Sequence, residues 1–293
     1  FPVLLDEVIE TLITDIDGVY VDCTLGFAGH SSAILKKISK HGFLIGLDLD
    51  PYALNKAEKK LKETGKEQFS VHHASYKQFP EVLSKLGIDK VNGFLFDLGI
   101  SSYQIDSRDR GFSFRTDSPL DMRFDTSSGA TARDFLNTSS YKDIGMVIRN
   151  YGEERNWKRI TRAIINAVSK NQMETTFHLR SAVESVTHQN SVIKTLARVF
   201  QGIRIHINSE LVSLKMALES SIEYIKPGGR IGVISFHSLE DRIVKRFFKD
   251  RSITCTCART IPVCICNTQP DLKLILRKAI IPDEEETIIN PRS

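Results

Sequence analysis

No apolar run in the sequence approaches the ~20 residues needed to span a bilayer, so none of its 293 residues is expected in a helical membrane span. No secretory h-region is visible. The chain begins at Phe1 and not at Met, and is expected to be a fragment or a trimmed form of something longer. It lacks a strong charge of either sign: 40 Lys and Arg against 36 Asp and Glu leave a formal +4. That balance is compatible with an RNA partner and falls far short of identifying one. Cysteine is scarce, with five residues, and unevenly placed. Cys23 stands alone, and Cys255, Cys257, Cys264 and Cys266 cluster late. The cytosol is the expected compartment. What is present, 41% hydrophobic and 26% charged residues, is the make-up of a soluble globular protein. The length suits one large domain or two ordinary ones.

The stretch that organises the chain is GVYVDCTLGFAGH, Gly18 to His30. It reads as a short buried strand, Val19 to Val21, ending at Asp22. A turn holding Gly26, Ala28 and Gly29 follows, then a helix from about His30 or Ser31. Strand, glycine loop and helix open a dinucleotide-type βαβ unit whose ligand lies over the loop. Small residues matter there because a Cβ holds the backbone away from a ligand. The Asp22 carboxylate would repel a pyrophosphate and attract a cationic head group or a sulfonium. S-adenosylmethionine carries both cations, which favours it over NAD. Many α/β proteins have such a turn with no cofactor at all.

A short leading helix is expected between Pro2 and Ile13. A second strand, Phe43 to Leu47, ends at Asp48, the position where a ribose diol is gripped. Asp50, just before Pro51, suits a helix cap. That leaves Asp48 for the ribose. A third strand, Phe69 to His72, precedes Tyr76, whose ring could cover an adenine or simply pack. A fourth, Phe94 to Phe96, ends at Asp97. The alternation predicts a doubly wound, mainly parallel α/β sheet, with Asp22, Asp48 and Asp97 all at carboxyl ends of strands.

The pattern then changes. Leu98 to Asp125 contains no clean strand or helix. Arg108, Arg110, Arg115 and Arg123 alternate there with Tyr103, Phe112, Phe114 and Phe124. Arginines with aromatics suit phosphates and unstacked bases. Equally, these arginines could pair with Asp106, Asp109, Asp117 and Asp121. From Ala130 to about Arg204 the periodicity is helical, which predicts a helical insert. Its basic faces, with Lys158, Arg159, Arg162, Lys194, Arg198 and Arg204, could track an RNA backbone; a solvated helix surface is the commoner meaning. The α/β pattern resumes with a helix from Leu211 to Ile225, a Pro227-Gly228-Gly229 turn, and a fifth strand, Arg230 to Ser235. His237 follows at another carboxyl end, where it could act as a base or position one. Capping of the next helix by Ser238 accounts for part of that motif without chemistry. Leu272 to Leu276 reads as a returning strand. Before it, two Cys-x-Cys pairs (Cys255, Cys257, Cys264, Cys266) bracket a turn. Four thiolates suit zinc. Residues i and i+2 of a strand share a face, so paired disulfides or plain packing remain open.

The runs DCTLGFAGHS, DLGISSYQIDSRDRGFSFRTDSPLDMRFD, YGEER, ISFHSLEDRIVKRF and the closing NPRS together resemble the MraW/RsmH family along essentially the whole chain. The resemblance implies a class I (Rossmann-like) methyltransferase sheet with an inserted helical domain. The sheet domain is expected over 1–104 and 209–293, with the insert at 105–208 as the RNA-recognition part. It implies transfer of a methyl group from S-adenosylmethionine to cytosine N4 in the decoding region of 16S rRNA, within the small subunit, in the cytoplasm. The family's cofactor contacts carry over to Ala28, Gly29, His30, Asp48, Tyr76, Asp97 and Gln104. Asp22 and Gly26 join them from the loop reading. Candidate RNA contacts are Arg110, Phe112, Arg115, Arg123, Lys158, Arg198 and Arg204. Two positions depart from the family: glycine is usual where Ala28 stands, and phenylalanine where Tyr76 stands. The family also continues past its NPR motif with a basic tail. This chain stops at Ser293, so part of an RNA-contacting end is expected to be missing.

The cytosine amine is a poor nucleophile because its lone pair is delocalised into the ring. It must be held in line with the methyl group while an acceptor takes its N–H hydrogens. Asp97 is the first candidate for that role, with His237 second as a positioner of the base. Cys23 is a poor candidate, since covalent attack serves carbon methylation and not an exocyclic nitrogen. The base must leave its stack, and Tyr103, Phe112 or Phe114 could receive it. Two other readings stand beside this one: a small-molecule methyltransferase, and a non-catalytic RNA-binding assembly factor. The oligomeric state, monomer or homodimer, is open.

Overall fold

The computed structural model of the chain describes residues 2–257, 266, 268–276 and 278–290. Two compact units emerge: Phe1–Gly99 with Ser213–Ser293, and Ile100–Val212. The boundaries read from the sequence, after 104 and before 209, lie a few residues inside the second unit.

The first unit is built on five parallel strands in the order β3-β2-β1-β4-β5. These are β1 (Val19–Asp22), β2 (Phe43–Asp48), β3 (Phe69–His73), β4 (Val91–Asp97) and β5 (Ile225–Ile234). Helix α1 (Leu5–Leu12) precedes them, and α2 (Gly29–Lys37), α3 (Pro51–Lys62) and α4 (Phe79–Lys85) connect the first four. The central strands β1, β2 and β4 are buried along most of their length, because helices cover both faces. Tyr20, Leu44 and Leu95 face a core formed with Leu12 of α1, Ile34 and Leu35 of α2 and Leu61 of α3. Their sequence neighbours Val21, Ile45, Phe94 and Phe96 face the opposite core. There they meet Phe79 and Leu83 of α4, with Leu214 and Leu218 farther along the chain. This period of two across a doubly wound sheet is the expected α/β architecture.

The second unit is helical. It runs through α5 (Ser102–Asp106), α6 (Ala132–Thr138), α7 (Tyr141–Asn150), α8 (Trp157–Val168), α9 (Thr176–Glu184) and α10 (Val192–Ile207). Its core joins Ile144 and Ile148 of α7, Ile160 and Ile164 of α8, Leu179 and Val183 of α9, and Val199 and Ile203 of α10. The chain after α7 approaches α10 backbone to backbone. A Cβ on Gly202 would lie 2.7 Å from the Gly152 nitrogen, and one on Gly152 would lie 2.6 Å from the Arg198 carbonyl oxygen. Helix α11 (Glu210–Tyr224) leads back to the sheet, and α12 (Ser238–Arg251) and α13 (Glu284–Ile289) complete the described helices.

Four local expectations need correction. Helix α5 lies inside the stretch read as irregular; Ser101 and Gln104 cap each other reciprocally, which suffices for five residues. Helix α2 starts at Gly29, one residue earlier than read. The Pro227-Gly228-Gly229 turn is instead an irregularity within β5, where register shifts between the pairs Val91–Ile225 and Gly93–Arg230. Gly228 takes φ 83° there. Leu272 to Leu276 forms no strand, and Leu274 and Leu276 are exposed.

Candidate active site

The strand order reverses between β1 and β4, the crevice where open α/β sheets take their ligands. Asp22 pairs in register with Gly46 of β2 and Leu95 of β4. Asp48 and Asp97 therefore stand two residues farther along their own strands. The three carboxylates share one rim but do different work.

Asp22 is 2% exposed and turned into the loop. Its Oδ1 accepts from the Thr24 N–H at 3.2 Å and its Oδ2 from the Ser31 hydroxyl at 2.7 Å. Burial raises its pKa, against the Ser31 hydrogen bond and the charge of His30. It builds the glycine loop from beneath, so the direct attraction for a cation expected of it is not on offer. Asp48 also supports the loop: Oδ2 accepts from the Gly26 N–H at 2.7 Å and Oδ1 from the Asp50 N–H at 2.8 Å. Burial, the largest influence, pushes its pKa up to about 6. A carboxylate has about four acceptor sites, so roughly two remain for a diol. Asp50 caps α3 through the Tyr52 N–H at 3.0 Å, with Pro51 at the first helical position.

Asp97 differs from both. Its N–H donates to Thr24 Oγ1 at 2.6 Å, which fixes the backbone. Its Oδ2 lies 3.5 Å from His30 Nδ1. Its Oδ1 is buried with no hydrogen-bond partner among the described residues. Burial pushes the Asp97 pKa up to about 6, His30 opposes this, and Asp22 and Glu240 add to it. His30 Nε2 lies 2.8 Å from the Val3 carbonyl oxygen. A carbonyl only accepts, so Nε2 carries a hydrogen. The facing Nδ1 and Asp97 Oδ2 are complementary only with one further proton between them.

The loop itself has Gly26 at φ 50° and Ala28 at φ 55°, the left-handed region. Ala28 is fully buried and belongs to the core cluster that includes Ile34 and Leu44. Its methyl therefore faces the core and does not narrow the loop. Left-handed alanine costs about 1 kcal/mol, which this burial offsets.

His237 stands just beyond β5 and is itself the N-cap of α12, in place of Ser238. Its Nδ1 accepts from the Glu240 N–H at 3.4 Å. Glu240 answers by accepting from the Phe236 N–H through Oε2 at 3.0 Å, and its Oε1 lies 3.1 Å from His237 Nε2. That contact is not aligned as a hydrogen bond, and Nε2 has no other partner among the described residues. Glu240 was missed in the sequence. Its signal was the spacing His237-x-x-Glu240, an acid three residues after a cap, although the bond its side chain accepts comes from Phe236, one residue before the cap. Tyr76 follows β3, and its ring stands edge-on to Phe96 at 6.1 Å. Gln104 belongs to the second unit, in the Ser101 cap. Burial and the neighbouring Asp22 keep the Cys23 thiol well above its ordinary pKa, so it is no nucleophile.

The candidate RNA residues divide. Arg115, Lys158 and Arg198 are exposed. Arg110 is buried, and its Nη2 donates to the carbonyls of Arg123 and Phe124 at 3.0 Å each. Phe112 is buried and stacks on Phe124 at 5.7 Å. Arg123 is held by Asp121 through two hydrogen bonds of 2.9 and 2.8 Å. Arg204 is bound to Glu210 at 2.8 and 2.9 Å. These four help to build the second unit, where carbonyls, carboxylates and core already engage them. A different basic feature appears between α8 and α9: a groove of about 540 Å³. Arg159, Arg162, Lys170 and His178 line it over a floor that includes Ala163 and Ala182. No carboxylate lines it. Arg159, Arg162 and Lys170 have no ion-pair partner among the described residues. His178 Nδ1 accepts from the Glu174 N–H at 3.2 Å, which puts the hydrogen of the neutral ring on Nε2.

Of the late cysteines, Cys264 lies outside the described residues. Cys255, Cys257 and Cys266 place their sulfurs within 4.8 Å of one another. Hydrogen bonds, led by the Thr268 hydroxyl, pull the Cys266 thiol down to about 4.

Curated relatives match the whole chain. A "Ribosomal RNA small subunit methyltransferase H" from Caldicellulosiruptor bescii is 47% identical over 293 residues, covering 100% of this chain and 95% of the relative. Its counterpart from Syntrophotalea carbinolica is 43% identical, covering 99% and 93%. Among solved structures, a methyltransferase homolog from Pyrococcus horikoshii aligns with 80% of this chain and 45% of its own at 13% identity and a TM-score of 0.36, too remote to bear on the site. The MraW methylase family model matches residues 1–293. With that match and relatives this similar over more than nine-tenths of their length, the chain belongs to the MraW methylase family.

Proposed function

We propose that the protein transfers the methyl group of S-adenosylmethionine to the exocyclic N4 of a cytidine in the decoding region of small-subunit ribosomal RNA. The observation that carries the reading is Asp97. It is a desolvated carboxylate at the topological switch point with one oxygen, Oδ1, unpartnered among the described residues. An acceptor in that condition suits the hydrogens of an amine or a cationic ligand. The names of the relatives supply ribosomal RNA as the substrate class.

The cofactor, when bound, supplies a methyl group activated by its sulfonium. The residues suited to hold it are the Gly26–Gly29 loop, Asp48 for the ribose hydroxyls and Tyr76 for the adenine. Asp97 accepts an N–H of the cytosine amine and so keeps the nitrogen lone pair directed at the methyl group. The proton that leaves the amine has a receiver at the Asp97–His30 pair. His237, fixed by Glu240 at both ends of its cap, positions the base. The α8–α9 groove of the second unit takes RNA phosphates, since it offers unpaired cations and no competing acid.

Incubation with labelled S-adenosylmethionine and small subunits lacking the modification should yield N4-methylcytidine on nucleoside analysis. Transfer to another position, or none, overturns the assignment. Replacement of Arg159, Arg162 and Lys170 together by alanine should raise KM for the subunit with kcat unchanged. It should also flatten the dependence of log affinity on log salt by about 2, at roughly 0.7 per phosphate contact with single strands. An unchanged salt slope removes the groove from the RNA contact while leaving the reaction standing.

A further inference from the structure

The late cysteines answer to nothing in methyl transfer. Cys255 and Cys257 follow α12, and Cys266 lies on a second arm. The Thr256 N–H donates to Cys266 Sγ at 3.3 Å, and the Thr256 and Thr268 hydroxyl oxygens are 3.1 Å apart. The excursion closes at its base, where the Leu272 N–H donates to the Arg251 carbonyl at 3.0 Å and Arg251 Nη1 meets Asp271 at 3.0 Å. Between these ties there is no core: among the described residues from 254 to 270, none is buried. Side chains that hold a loop together without burial do so by covalent or coordinate bonds.

The sulfur spacing decides which. Cys255 Sγ and Cys266 Sγ are 3.8 Å apart. A disulfide requires about 2.05 Å. Two ligands at about 2.3 Å from a tetrahedral ion lie about 3.8 Å apart, the edge of a zinc–thiolate tetrahedron. The third sulfur, on Cys257, falls within 4.8 Å of both. The Thr256 N–H donated to Cys266 Sγ is the kind of bond that steadies a ligating thiolate.

We propose that Cys255, Cys257 and Cys266 ligate one structural zinc ion that folds the segment after α12. Three thiolates leave one of the four positions of structural zinc for a further ligand. The site is independent of the methyl-transfer reading and uses none of its residues.

The test is elemental analysis of the full chain purified under reducing conditions without chelator, followed by cobalt titration of the chelated protein. One zinc per chain is expected. Cobalt should give the thiolate charge-transfer and intense d–d bands of a tetrahedral sulfur site. Cys255→Ser and Cys266→Ser should each lose both the zinc and the cobalt spectrum while binding S-adenosylmethionine like the unaltered chain, which separates a local loss from misfolding. An unaltered chain that retains no zinc and gives no cobalt bands overturns the proposal. So does full zinc content in Cys266→Ser, or a mass lower by two hydrogens in the unaltered chain, which would mark a disulfide.

Discussion

Asp97→Asn should make the cofactor-free protein more stable at neutral pH while disabling it. The Asp97 pKa is about 6 in the fold against an ordinary 3.8. A carboxyl whose folded pKa is raised contributes stability when protonated. That contribution is full below the ordinary value and lost as pH rises through the folded one. Above pH 6 the folded protein therefore carries a penalty of about 3 kcal/mol relative to pH below 4. About a quarter of the side chain still meets solvent, so about 2 kcal/mol is the better figure. Asparagine is neutral at every pH and removes that penalty. At pH 7.5 the variant should melt about 4–8 °C above the parent, at roughly 2–4 °C per kcal/mol. The difference should fade between pH 6 and pH 4. Asp48→Asn is the control. Asp48 has the same raised pKa, yet both its oxygens accept backbone N–H bonds. An amide keeps one acceptor and turns NH₂ toward the other donor, which costs about 1–3 kcal/mol and cancels the gain. Melting curves across pH 4 to 8, with methyl-transfer rates beside them, read both variants. An Asp97→Asn protein less stable than its parent at pH 7.5, or a difference that does not change with pH, refutes the account of Asp97 as a buried charge that His30 does not fully offset.

Glu240 raises the Asp97 pKa from nearby, so Glu240→Gln should shift the acidic limb of the pH–rate profile to lower pH, and a limb that stays in place refutes the coupling. The same variant keeps an acceptor for the Phe236 N–H and should melt within about 0.5 kcal/mol of the parent. Glu240→Ala keeps the His237 cap, which uses the backbone N–H of residue 240, but leaves the Phe236 N–H without its acceptor and should cost about 1–2 kcal/mol by denaturant titration. Gly202→Ala should cost about 1–3 kcal/mol, because its Cβ would meet the Gly152 nitrogen at 2.7 Å and backbone cannot move aside cheaply; a loss below about 0.5 kcal/mol means the helical unit has slack there.

The sheet was legible because its physics is local. Val19–Asp22, Phe43–Asp48 and Val91–Asp97 are apolar runs that end in an acid, and a strand buried on both faces has no other way to read. Asp50 beside Pro51 announced its own cap. The arginine stretch was legible only as two alternatives, phosphate contact or pairing with nearby acids, because composition does not say what occupies a guanidinium. Arg123 is taken by Asp121, two residues away, and Arg110 by carbonyls thirteen and fourteen residues on. Leu272 to Leu276 looked like a strand on alternation alone, but a strand needs a partner, and this stretch pairs with neither of the sheet's edge strands, β3 and β5. His237 was placed at the right strand end. Its role as cap was given to Ser238, one residue away, since hydroxyls are the commoner caps.

The proposed reaction also explains why charge is distributed as it is. Its donor is a cation and its acceptor belongs to a polyanion. A rim suited to the donor, with Asp48, Asp97 and Glu240, repels every phosphate that accompanies the acceptor. A neutral base can enter such a rim, but a backbone cannot be gripped there. Attraction for phosphate must then come from another part of the chain, with cations no acid has already neutralised. The second unit has them in Arg159, Arg162 and Lys170, while Arg123 and Arg204 are already paired with Asp121 and Glu210. The net charge of +4 conceals this division, because it sums an acidic rim with a basic groove. If the division is right, raising salt should weaken RNA binding steeply and cofactor binding hardly at all. Equal salt slopes for the two ligands would mean that both are held by one mixed surface.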